Sequence, residues 1–122
     1  WILVNKDGVG GGVVDTIKCK GFIAQRSPRN KGYKTLKDEC GYKLAELASQ
    51  IYIKAELSDT HKEELETELG YLKSYERDKD NKLRILPKEK IKESLGRSPD
   101  WLDVFIMRAF YEAGGYGKYA VS

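Results

Sequence analysis

Histidine and methionine each occur once in the 122 residues, cysteine twice and proline three times. The single histidine, His61, falls among the charges of a predicted helix surface, so no catalytic role is expected of it. Cys19 and Cys40 stand far apart, without the paired spacing of a zinc knuckle, and read as small thiols of a reducing compartment. No apolar run is long enough to cross a bilayer, and the start does not resemble a cleavable signal peptide. A large charge of one sign is missing as well: 22 Lys and Arg face 19 Asp and Glu, a net charge of +3. So small a surplus permits contact with nucleic acid without requiring it, because a polyanion-binding face fits within a nearly neutral total. Glycines crowd at Gly8, Gly10, Gly11 and Gly12, but Val13 fails the third glycine of a dinucleotide fingerprint. No Gly-Lys-Ser/Thr follows for a phosphate-binding loop. These glycines are read instead as letting backbone, or a metal-bound phosphate, come close.

What is present fits one compact α/β domain with its own core. Trp1 to Asn5 is an apolar run that suits a buried strand, with neither initiator Met nor polar lead-in, as expected of a piece of a larger polypeptide. Val9 to Cys19 predicts a short glycine-rich helix and Gly21 to Ala24 a second strand, an order that signals a parallel β-α-β unit. Leu36, Cys40, Leu44, Leu47 and Ile51 form one helical stripe that predicts a helix over Thr35 to Ala55. Ser58 or Asp59 starts another, with Leu65, Leu69 and Leu72 inward. Asp78 to Asn81 is a turn, Lys82 to Leu86 a short edge strand ended by Pro87, and Lys88 to Leu95 a brief helix closed by Gly96. A last helix is expected with Ser98 as N-cap and Pro99 at its first position. Residues 113–122 are read as a flexible Gly/Tyr tail. No internal repeat is present.

Two acidic positions attract attention. Asp7 ends the first strand, at the edge of an open parallel sheet where reacting groups collect. Asp100 and Asp103, three residues apart, share one side of the last helix, whose Trp101, Leu102, Phe105, Ile106, Ala109 and Phe110 turn to the core. Hard cations such as Mg²⁺ and Mn²⁺ take a few carboxylate oxygens and leave room for water and phosphate. Carboxylates converging from a strand end and a helix are what two-metal phosphodiester cleavage requires. Position alone gives Asp100 a helix-dipole role and makes Asp7-Gly8 an ordinary turn pair, whereas Asp103 is expected beyond the first turn. Basic residues gather after the second strand (Arg26, Arg29, Lys31, Lys34) and before the last helix (Lys88, Lys90, Lys92, Arg97). Each group suits contact with DNA phosphates.

The segment Val4-Asn5-Lys6-Asp7-Gly8-Val9-Gly10-Gly11-Gly12-Val13-Val14-Asp15 resembles the D-x-x-G-x-G-x-x-V-x-D strand, turn and helix of phage large-terminase nuclease domains, with a one-residue shift at the glycines. Leu95-Gly96-Arg97-Ser98-Pro99-Asp100-Trp101-Leu102-Asp103 resembles the closing G-x-S-P-D-x-x-D-A motif of that family, with Val104 where a small residue is usual. The likeness covers residues 1 to 112. It implies a partial ribonuclease H-like fold, a short and mainly parallel sheet flanked by helices. It further implies a Mg²⁺- or Mn²⁺-dependent two-metal endonuclease that cleaves concatemeric viral DNA in the cytoplasm of a bacterial host. Asp7 then matches the second catalytic carboxylate and Asp103 the third, the pair holding metal, with Asp100 an accessory acid. Arg26, Arg29, Lys31, Lys88 and Arg97 would meet double-stranded DNA. The terminase ATPase domain, the portal and the small terminase subunit would be partners, with no membrane involved. The family's first catalytic aspartate lies on a strand ahead of this segment, so the expectation is an incomplete metal site and little or no nuclease activity from these residues alone. A non-catalytic α/β module binding DNA or a partner, and a resolvase- or transposase-type enzyme, are the competing readings; the Ser-Pro-Asp helix start favours terminase by resemblance.

Overall fold

A computed structural model describes residues 3–5, 20–22, 24–51 and 56–113, and it is a mixed helix-and-strand fold. In chain order the elements are β1 (Leu3–Asn5), β2 (Lys20–Phe22), α1 (Leu36–Leu47), a 3₁₀ turn (Ala48–Gln50), α2 (Asp59–Leu69), β3 (Ser74–Tyr75), β4 (Arg84–Ile85), α3 (Lys88–Leu95) and α4 (Asp100–Ala113). β1 and β2 pair in parallel, Leu3 opposite Lys20 and Asn5 opposite Phe22. β3 and β4 pair antiparallel, Ser74 opposite Ile85. The described strands thus form two separate pairs, one of each sense, in place of a single mainly parallel sheet. The turn Asp78–Asn81 folds the chain directly back on itself, which only an antiparallel pair allows. The glycine-rich helix expected over Val9–Cys19 and the tail 114–122 lie outside the described residues.

α1 and α4 form the most extensive packing in the fold, and α4 also touches β1. Leu36, Cys40 and Leu44 of α1 meet Leu102, Ile106, Ala109 and Phe110 of α4, with Ile85 and Ile91 closing the core. Each large apolar side chain so buried contributes about 1.5–3 kcal/mol. Trp101 and Phe105, expected inside, are only partly buried. Gly41 of α1 faces β4: a Cβ there would lie 2.8 Å from Ile85 Cδ1, so the missing side chain is what lets the strand approach the helix. Burial pushes the Cys40 thiol up to about 12, as expected for a small core residue.

α1 opens with a capping box. Thr35 Oγ1 accepts the Asp38 N–H, and the Asp38 carboxylate accepts the Thr35 N–H. The helix ends at Leu47, short of the Ala55 that the apolar stripe predicts. Its last turn has no basic residue to meet the dipole. The chain then tightens into the 3₁₀ turn, whose Ala48, Ser49 and Gln50 are all exposed, and Ile51 is extended and 41% exposed. Ser58 caps α2 through the His61 N–H, and Gly96 closes α3 at φ 79°, where a side chain would be strained.

Candidate functional site

The first turn of α4 is built around an acid that sequence reasoning missed. Glu68, at the end of α2 and fully buried, accepts the N–H groups of Trp101 (2.8 Å) and Leu102 (3.2 Å) through Oε1. Its Oε2 takes the Arg97 guanidinium at 2.6 Å. That hydrogen bond, foremost, holds the Arg97 pKa above its ordinary value. Glu68 therefore fills the capping role expected of Ser98. The helix begins at Asp100, one residue after Pro99, whose carbonyl accepts the Asp103 N–H at 2.9 Å. Glu64 adds a second clamp, accepting Trp101 Nε1–H at 3.0 Å, and the His61 ring lies 5.5 Å from the Trp101 ring.

Because α4 starts at Asp100, both Asp100 and Asp103 belong to its first turn, which corrects the expectation that Asp103 lies beyond it. The dipole there favours both carboxylates. Asp100 is exposed and adds to the field that favours the Arg97 cation. Asp103 is differently placed. Its Oδ2 lies 2.6 Å from Lys88 Nζ, and its Oδ1 lies 3.5 Å from Lys37 Nζ. The carboxylate is 25% exposed, with Lys88 at 38% and Lys37 at 19%. Lys37 is in the first turn of α1 and Lys88 opens α3, so the starts of three helices meet within a lysine's reach of Asp103. Two ammonium groups therefore flank one carboxylate where three helices begin.

The other predicted residues divide. Asp7 lies outside the described residues, two positions beyond the end of β1. Arg26 and Lys31 are exposed at the surface, as a phosphate contact requires. Arg29 is engaged within the fold: its Nη1 donates to the Phe110 carbonyl at 3.1 Å and its guanidinium lies 4.1 Å from the Phe110 ring centroid. Lys88 and Arg97 are held by Asp103 and Glu68. Nothing in the sequence singles out Lys37, the second partner of Asp103, since it is an ordinary lysine one position after a core leucine.

Both oxygens of the Asp103 carboxylate, where a hard cation would bind, already face ammonium groups. No set of three or more His, Cys, Asp or Glu residues suited to a metal forms among the described residues. Asp103 alone is not a two-metal donor set, and a cation at Asp103 requires a second acid and displacement of Lys88. No helix among the described residues is long and apolar enough to cross a membrane. No protein-family model matches the chain, and no curated protein matches it.

Proposed function

We propose that the chain is the C-terminal part of a ribonuclease H-like, Mg²⁺- or Mn²⁺-dependent DNA endonuclease of the terminase large-subunit kind. In this reading Asp7 and Asp103 share a cation and Asp100 is an accessory acid. One observation carries it: Asp103 stands partly exposed on a helix packed against β1, and Asp7 follows the end of that strand by two residues. In such enzymes the cations activate water and stabilise the leaving oxygen. The share of this chain is to fix Asp103 on a helix anchored by Leu102 and Ile106 and to hold two ammonium groups beside it. Those ammonium groups suit an incoming phosphate: both are partly exposed, and a flexible lysine stem lets each swing from Asp103 to a phosphate oxygen.

The test is calorimetric titration of the chain with Mn²⁺. Binding of Mn²⁺ is expected, weakened at least tenfold in Asp7→Asn and in Asp103→Asn, and tightened in Lys88→Ala, which removes the competing ammonium. Binding that neither aspartate variant alters would overturn the reading. The alternative, a non-catalytic α/β module that binds DNA or a partner, is favoured by the ion pairs that already occupy both Asp103 oxygens. It expects no tightening in Lys88→Ala.

A further inference from the structure

Positive charge is not spread evenly over this molecule. Residues 24–34 contain four cations and no acid, and residues 73–84 contain five cations against three acids. These two segments therefore hold a surplus of six, whereas the whole chain has a surplus of three, so everything else is net acidic by three. α2 is the opposite pole, with five acids and one lysine over Asp59–Leu69.

The two basic segments are separated in sequence by residues 35–72, yet the fold joins them edge to edge. Tyr33 and Leu83 form a parallel bridge, the Lys34 N–H donates to the Leu83 carbonyl at 3.0 Å, and the Leu83 N–H donates to the Gly32 carbonyl at 2.8 Å. Lys82 Nζ donates to the Lys31 carbonyl, and Lys34 pairs with Asp78 at 3.0 Å. The result is one ordered basic ledge. Its acids are partly committed: Asp78 accepts the N–H groups of Asp80 and Lys82, so it organises the turn as well as neutralising Lys34.

The cations on the ledge are held but not exhausted. Arg84 donates Nε–H to the Glu76 carbonyl at 2.8 Å and lies 5.0 Å from the Tyr75 ring centroid. Arg77 donates from Nη1 to the Asn81 carbonyl at 3.0 Å. A guanidinium has five donors, so each of these bonds orients the fork while leaving N–H groups for an acceptor outside the fold. Arg77, Lys79 and Lys31 are exposed. The Tyr33 ring in the first segment lies 5.3 Å, between centroids, from that of Tyr42 on α1. Cations fixed in place lose less side-chain entropy on binding than freely rotating ones.

We propose that this ledge, formed by residues 24–34 and 73–84, is a docking surface for the sugar-phosphate backbone of a nucleic acid, with Arg77, Lys79 and Lys31 as its main phosphate contacts. It joins Arg77 and Lys79, which the sequence does not mark, to the basic segment that holds Lys31, and it does not depend on a cation at Asp103. The test is fluorescence anisotropy with a labelled 20-base-pair DNA duplex in excess EDTA, which removes divalent cations and so separates this surface from the metal reading. The wild-type chain is expected to bind, with affinity that falls as salt is raised. Arg77→Glu/Lys79→Glu is expected to weaken binding about tenfold or more, from lost counterion release and added repulsion. Lys62→Glu/Arg108→Glu on α2 and α4, equal in charge change and outside both basic groups, is the control and is expected to keep most of the affinity. These four side chains are exposed, and unchanged circular-dichroism melts establish that the variants fold. No binding by the wild-type chain, or equal losses in the two double variants, would overturn the proposal.

Discussion

Glu68 and Asp103 both serve the start of α4, and they do so in opposite ways. Glu68 is fully buried and bonds two main-chain N–H groups that have nowhere to go. Asp103 is a quarter exposed and bonds two lysine side chains that can rotate away. A carboxylate bound to backbone cannot be released without leaving helix donors unpaired, so it is fixed as part of the fold. A carboxylate held by mobile ammonium groups is exchangeable: a cation or a phosphate can compete for the same partners. Asp38 and Glu39 belong with Glu68. Asp38 Oδ1 accepts the Ile85 N–H at 2.9 Å, and Glu39 accepts the N–H groups of Arg29 and Asn30. Among the buried or half-buried acids at the described helix starts, Asp103 is the one held by side chains alone, which leaves it free to exchange.

The contrast breaks most directly at Glu68. Glu68→Ala removes the acceptor for Trp101 and Leu102 and the partner of Arg97, and is expected to lower unfolding free energy by about 3 kcal/mol. Asp103→Asn is expected to cost about 1 kcal/mol or less, because its ion pairs are partly solvated. Urea unfolding of both variants measures the difference. Equal losses would mean that Asp103 is as structural as Glu68, and its exchangeability would have to be given up. Asp38→Ala should fall between, at about 2 kcal/mol, through loss of the Thr35 capping box and an unpaired N–H at Ile85. The same denaturation series reads it, and a loss as small as that of Asp103→Asn would take Asp38 out of the structural class.

Local signals carried much of the fold. Gly96 after Leu95 marked the end of α3, Ser58 marked the start of α2, and the Leu36, Cys40, Leu44 stripe marked the buried side of α1. Thr35-Leu36-Lys37-Asp38 is itself a capping-box pattern, so the structural role of Asp38 was readable within four residues. Glu68 was not. It is separated from Trp101 by 33 positions, and within α2 it reads as one more acid on a charged surface. Ser98 carried the local capping signal instead, and tertiary packing overrode it. The stripe also overran at Ile51, since periodicity records where apolar residues fall and not whether the last turn is stabilised. Asp103 was singled out by motif. Its partners, Lys37 and Lys88, come from two other helices that only the assembled core brings near.

The smallest expected effect concerns Asp78, which combines both kinds of partner in one side chain. Oδ1 accepts the N–H groups of Lys82 (2.8 Å) and Asp80 (3.0 Å), and Oδ2 meets Lys34 at 3.0 Å. The Lys82 N–H, then Lys34, hold the carboxyl below its ordinary value of 3.8. A depressed carboxyl adds stability that is fully present above its unfolded pKa and lost as pH falls through the folded one. Asp78→Asn keeps a carbonyl acceptor for the turn but loses the charge. Its melting temperature is therefore expected to lie below wild type at pH 7, with the gap closing only below pH 3.8. A gap that persists unchanged to pH 2 would show that the charge does not organise the turn. It would then be the geometry of the turn, with Asn81 at φ 61°, that joins the two basic segments, and the pairing of Asp78 with Lys34 would be incidental to it.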